Sequence, residues 1–198
     1  MAGGEHEIRE LTQPRLRDLA ALFGQGGDPK WCWCAYYRVR GMTFKNASAA
    51  ANRTVLECAV DDNGSEGRAP GLLAYQDGEA VGWVSVGPRS DYERLTHSKV
   101  LAPVDEAPVW SVVCFVVSRR FRGRGIAAAL LRAAIDYARA HGAEVLEAYP
   151  VDTEGERIAS ANVYRGTLGM FERAGLEVVA RRQFNRTSPV RPIVRLEL

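Results

Sequence analysis

The stretch from Val116 to Ala140 constrains the fold of this chain more than any other. It reads Val-Val-Ser-Arg-Arg-Phe-Arg-Gly-Arg-Gly-Ile-Ala and runs on into Ala-Ala-Leu-Leu-Arg-Ala-Ala-Ile-Asp-Tyr-Ala-Arg-Ala. An apolar strand ends, and a basic turn with two glycines follows. Then Ile126, Leu130, Leu131, Ala134, Ile135 and Ala138 recur at helical spacing, with Gly142 placed to end the helix. Such a turn aims backbone N–H groups and the positive end of a helix dipole at one point. An anion is expected there, and a phosphate of a cofactor is the natural choice.

The rest of the chain arranges itself around that unit. Trp110 to Val117 is almost continuously apolar, as a strand covered on both faces should be. Val145 to Tyr149 is the next strand, and strand–helix–strand at this spacing argues for a right-handed parallel crossover. Upstream, Ile8–Leu11 reads as a short strand, and Leu16 to Phe23 as a helix with Thr12 and Pro14 at its start. Residues 46–59 read as a second helix, ended by Asp61-Asp62-Asn63-Gly64. Leu72–Tyr75 and Ala80–Val86 are joined by Gln76-Asp77-Gly78-Glu79, a strong hairpin signal. Downstream, a short helix near 167–174 precedes strands at 176–180 and 193–198. Arg132 and Asp136 stand four apart on the long helix, as a surface pair would. No linker divides the chain, so 1–198 is expected to be one α+β domain around a mixed central sheet flanked by helices.

Bulk properties exclude several function classes. With 198 residues there is chain enough for a real core. A net charge of +2 is too small for nucleic-acid binding to be argued from the field. No apolar run is long enough to span a membrane. The opening Met-Ala-Gly-Gly-Glu-His-Glu lacks the basic and apolar regions of a signal peptide, so a cytoplasmic location with reduced cysteines is expected. The histidines are His6, His97 and His141 and the cysteines Cys32, Cys34, Cys58 and Cys114. Their spacing forms no recognisable zinc set, and no metal is expected.

Two segments attract attention as walls of a site. Trp31-Cys-Trp33-Cys-Ala-Tyr36-Tyr37 puts four aromatics into seven residues just after a glycine-rich breaker. These residues either cap the core or line a substrate pocket. Residues 88–109 are charged and proline-bearing without clear periodicity, unusual for a passive connection, so they too are placed beside the acceptor, along with Trp110.

Three phosphate-binding motifs could claim the basic turn. A P-loop requires Gly-Lys-Ser/Thr, which is absent. Gly123-x-Gly125-x-x-Ala128 fits a dinucleotide fingerprint, and Glu147 falls near the place of its ribose-binding acid. Only one strand–helix–strand unit is present, however, and an antiparallel hairpin precedes it, which leaves a dinucleotide enzyme as the remote alternative. The third motif fits the whole chain. Arg122-Gly123-Arg124-Gly125-Ile126-Ala127 resembles the Arg/Gln-x-x-Gly-x-Gly/Ala signature of the GNAT superfamily of N-acetyltransferases, with Phe121 in its aromatic slot. The hairpin leading to Val81-Gly82-Trp83 resembles that family's second and third strands. Phe171-Glu-Arg-Ala-Gly-Leu176 resembles its late Tyr-Glu-Lys-Leu-Gly-Phe element.

The resemblance implies acetyl-CoA as donor. The backbone of Arg122, Gly123, Arg124, Gly125, Ile126 and Ala127 would hold its pyrophosphate, and that of Phe115, Val116 and Val117 would pair with its pantetheine arm. It also implies direct transfer, in a ternary complex, to an amine of a small molecule or a peptide or protein. Aromatic walls at Trp31, Trp33, Tyr36, Tyr37 and Trp110 favour such a cationic acceptor. A homodimer remains possible. The family often uses a tyrosine in the late helix to protonate the leaving sulfur, and Phe171 stands in that slot. Tyr164 is the nearest hydroxyl and is taken as the acid, with Glu147, or Asp152 at the end of the same strand, as the base. Asn162 is similar to a cofactor-contacting asparagine, though at a different distance from the late helix. Phe171 also makes a second reading thinkable, a catalytically weak acyl-CoA-binding regulator.

Overall fold

Seven strands form one sheet in the order β1-β2-β3-β4-β5-β7-β6, in a computed structural model that describes residues 6–26, 28–153 and 163–198. The strands are β1 (Glu7–Glu10), β2 (Gly71–Gln76), β3 (Glu79–Pro88), β4 (Trp110–Val117), β5 (Val145–Ala148), β6 (Glu177–Arg182) and β7 (Arg191–Glu197). Only β4 and β5 run parallel; every other neighbouring pair is antiparallel. The β2–β3 hairpin turns at Asp77 and Gly78, both at positive φ (51° and 78°), which is why Asp-Gly is favoured there.

Among the described residues, seven α-helices accompany the sheet: α1 (Leu16–Gly24), α2 (Pro29–Cys32), α3 (Gly41–Asn46), α4 (Ala49–Ser65), α5 (Glu93–Thr96), α6 (Ile126–Ala140) and α7 (Leu168–Glu172). One face of the sheet is covered by α1, α4 and the aromatic segment around Trp33 and Tyr37. Leu19, Phe23, Trp33 and Leu56 meet Trp83, Val113 and Ile193 there. The other face carries α6 and α7, whose Ile126, Leu130, Leu131 and Phe171 pack on Val84, Phe115, Leu146 and Val194. Gly82 permits the closest approach on this side, since a Cβ there would lie 2.6 Å from Ile126 Cγ2. A strand buried on both faces must be apolar throughout, which explains β4.

Two elements differ from the sequence reading. The second long helix starts at Ala49, where the Ser48 hydroxyl accepts from Ala51 N–H at 3.1 Å, and it continues through Asp61-Asp62-Asn63-Gly64 to Ser65. Val60 and Asn63 are buried, and Asn63 Nδ2 reaches Asp91, so tertiary contacts override a sequence that favours a turn. On α6, Asp136 pairs with Arg139 at 3.2 Å, one residue closer than the four-apart partner expected.

The feature that creates a site is the parting of β4 from β5. Their pairing spans only Trp110–Val112 against Leu146–Ala148, although β4 runs on to Val117. A register shift on the β3 side, between Ser85 and Val86, marks where β4 bends away. The fork left between the strands opens toward the glycine turn.

Candidate active site

A cavity of about 1460 Å³ occupies that fork. Its floor is the outer half of β4, Cys114 to Val117. One wall is the turn Arg119–Gly123 with the start of α6, another is the aromatic segment, and Val163, Tyr164 and Gly166 lie opposite. Gly123 and Gly125 have φ of 76° and 81°, a conformation that L side chains adopt at a cost, and a Cβ at either would point into open space. The peptide groups there can therefore approach a ligand closely, at the N-terminus of a fifteen-residue helix. This is a fitting place for a pyrophosphate. Arg122 Nε donates to the Val117 carbonyl at 3.2 Å, tying the turn to the strand end. Ser118 Oγ donates to Gln25 Oε1 at 2.7 Å, tying it to the end of α1.

Of the residues singled out from sequence, Trp31, Tyr36, Tyr37, Phe115, Val116, Val117, Arg122, Gly123, Gly125, Ile126, Ala127 and Tyr164 all line this cavity. Four do not. Arg124 lies over the Phe121 ring, 5.1 Å from its centroid. Trp33 is a core residue, packed edge-on against Phe23 at 5.4 Å, with its indole N–H donating to the Lys30 carbonyl. Trp110 sits at the far end of β4, against Tyr137 and His141 of α6. Glu147, expected as a base, is fully buried away from the cavity. Its Oε1 accepts from Arg89 and Tyr149, each at 2.6 Å, and its Oε2 accepts from Arg195 at 2.8 Å. A carboxylate so engaged is scaffold and has no free lone pair aimed at a substrate. Asn162 lies outside the described residues.

Residues 88–109 contribute nothing to the lining. Their role is indirect. Arg94 of α5 stacks on Tyr36 and Phe44, at 3.9 and 5.7 Å from the ring centroids, and so holds the aromatic wall from behind. Phe44 is a lining residue missed by sequence reading. It stands alone in α3, and only its contacts with Trp31 (4.7 Å) and Tyr36 (5.3 Å) reveal its part.

Around Tyr164 the backbone departs from simple expectation. Phe115 N–H, expected to face a pantetheine arm, donates to the Tyr164 carbonyl at 2.6 Å. Tyr164 thereby sits beside β4 with its ring 6.4 Å from that of Tyr36. Burial pushes its hydroxyl above the ordinary value of 10.0, so it holds its proton at neutral pH. Below it the thiols of Cys34 and Cys114 are in contact at 3.0 Å, and Trp83 Nε1 donates to Cys34 Sγ. The hydrogen bond with Cys34 and burial together hold the Cys114 thiol well above its usual range, and burial pushes Cys32 up to about 12. Thiols held protonated are poor nucleophiles. Among the described residues, no group of three or more His, Cys, Asp or Glu could hold a metal ion, and no helix is long and apolar enough to cross a membrane.

Comparison with known proteins agrees with this geometry. No curated protein matches the chain in sequence. Solved structures share its fold over nearly the whole length. The polyamine N-acetyltransferase of Drosophila melanogaster, which catalyses formation of N-acetylagmatine, covers 98% of this chain and 100% of its own at 13% identity and TM-score 0.61. The ribosomal-protein-alanine N-acetyltransferase of Brucella melitensis covers 97% and 99% at 19% identity and TM-score 0.57. An N-acetyltransferase of Staphylococcus aureus covers 98% and 99% at 16% identity and TM-score 0.56. Residues 31–170, which include the glycine turn, the forked strands and most of the cavity wall, match the sequence model of the acetyltransferase (GNAT) family, and the chain belongs to that family.

Proposed function

We propose that this protein moves an acetyl group from acetyl-CoA to the amine of an acceptor, by direct transfer within a ternary complex. The observation that carries the proposal is the meeting of the positive-φ glycine turn and the forked β4 in one cavity. The turn supplies backbone N–H groups and a helix N-terminus for a pyrophosphate, and the open edge of β4 near Val116 and Val117 lies beyond it. Acetyl-CoA supplies an activated thioester; the chain's own residues supply position and a proton. Tyr164, protonated and beside β4, donates to the departing sulfur. The acceptor enters along Trp31, Tyr36, Tyr37 and Phe44, with 1–198 acting as one catalytic domain. Glu147 has no part in proton removal on this reading, since its oxygens are already taken.

The protonated state of Cys114 supports direct transfer over an acyl-enzyme. Release of free thiol from acetyl-CoA across a panel of amines and peptides tests the proposal, with intact mass measured after acetyl-CoA alone. Thiol release that requires an amine, with no mass gain in its absence, is expected. A gain of one acetyl on Cys114 would overturn direct transfer. Tight CoA binding without turnover on any acceptor would instead favour the regulator that the buried Phe171 makes conceivable.

A further inference from the structure

Two thiols sit where the aromatic wall of the cavity meets its floor, and direct acetyl transfer gives them no task. Cys34 belongs to the wall segment. Cys114 belongs to the half of β4 that has parted from β5, and both residues line the cavity. They stand 80 residues apart in the chain, yet their sulfurs are 3.0 Å from one another, and both are free thiols. A disulfide bond is about 2 Å long, so about 1 Å of approach would join them.

The backbone is set to hold that contact. Among the described residues, three other than glycine have positive φ: Asp77 in the β2–β3 turn, and the consecutive Trp33 (45°) and Cys34 (53°). Left-handed backbone costs an L residue free energy, and no hairpin accounts for it at 33 and 34. Cys34 is 2% exposed there, and its sulfur takes the indole N–H of Trp83 at 3.2 Å. The strain thus falls on the residue that meets β4.

We propose that Cys34 and Cys114 are a redox-modification site, which a peroxide converts to a reversible disulfide that pins the aromatic wall to the cavity floor. One sulfur attacks an oxygen of hydrogen peroxide; the O–O bond breaks, leaving a sulfenic acid and water. The second sulfur attacks the first, the S–S bond forms, and the S–O bond breaks with release of a second water. Two thiols and one peroxide give one disulfide and two waters, the sulfurs oxidised and the peroxide reduced. Cys34 attacks first, since the Trp83 N–H steadies charge on its sulfur, and Cys114 resolves it. Burial slows the first step, whereas contact speeds the second and stops oxidation short of sulfinic acid. A dithiol such as dithiothreitol reverses the reaction by exchange, itself becoming a cyclic disulfide.

The full chain, treated with hydrogen peroxide at neutral pH, then alkylated, digested and mapped by mass spectrometry, tests the site. A Cys34–Cys114 disulfide, opened by dithiothreitol, is the expected main product. Because it closes a long loop, the oxidised protein should melt about 5 °C or more above the reduced one. Amide exchange over residues 31–37 should slow on oxidation and recover on reduction. C58S should form the same bond at the same rate, and C114A should carry sulfinic acid at Cys34 instead. The mapping, melting and exchange of the unaltered chain decide the matter even where a variant fails to fold. Pairing of Cys32 with Cys34, dimers joined through Cys58, sulfinic acid at either residue of the unaltered chain, or no reaction overturns the site. So does a disulfide that leaves melting and exchange unchanged. None of these readouts uses acetyl-CoA, so the result is separate from the transfer reading.

Discussion

Two pairs of arginines near the β5–β7 side of the sheet are treated in opposite ways. Arg89 and Arg195, with side chains 11% and 9% exposed, close on the two oxygens of Glu147, and Arg89 also reaches Tyr149 Oη and the Leu95 carbonyl. Arg165 and Arg191 have no such carboxylate among the described residues. Buried charge that meets a buried carboxylate holds elements together; here it joins the 88–109 segment to β5 and β7.

The contrast can be broken most forcefully at its centre. E147Q removes the counter-charge from Arg89 and Arg195 and is expected to cost about 3–5 kcal/mol in chemical denaturation, the usual result of breaking a buried pair from one side. CoA binding to the fraction that remains folded should be unaltered, because the cavity does not include Glu147. Y164F should lower kcat about 100-fold, a loss of about 2.7 kcal/mol of transition-state stabilisation, with little change in CoA affinity. Since burial raises this hydroxyl, the acid form persists as pH rises, and any alkaline loss of kcat due to Tyr164 should have its midpoint above pH 10.0. An unchanged kcat in Y164F would sink the proton-donor role. R165M sharpens the comparison from the other side. Although Arg165 is as buried as Arg195, its removal should change stability by no more than about 1 kcal/mol, because no partner is orphaned. Smallest of all is the exposed pair Arg53–Glu57 on α4, where E57Q should cost about 0.3–0.5 kcal/mol and fade with added salt.

The glycine turn and its place on the cavity wall were legible in the sequence because the turn is local. Glycines at fixed offsets, a strand before them and a helix after them specify one geometry within about ten residues. The aromatic wall was legible only in part. Trp31, Tyr36 and Tyr37 drew attention by their density, but Trp33 in the same run is core, since which face a residue takes depends on Phe23 and Trp83 beneath it. Trp110 was misplaced because a strand has two ends and sequence alone did not say which one borders the cavity. Glu147 carried a plausible role until its partners, Arg89 and Arg195, arrived from 58 and 48 residues away. Arg165 and Arg191 left no local sign at all. What made them conspicuous is a missing neighbour, and that can be seen only in three dimensions.

The hydrogen bond from Phe115 N–H to the Tyr164 carbonyl has a consequence for how such a protein diversifies. It is a backbone-to-backbone bond, so it survives replacement of either side chain by anything except proline at 115. Strand β4 and the segment carrying Tyr164 and Arg165 are therefore fastened by a joint that ignores side-chain identity. Residues 164 and 165 can be exchanged for others while the cavity floor formed by β4 stays where it is.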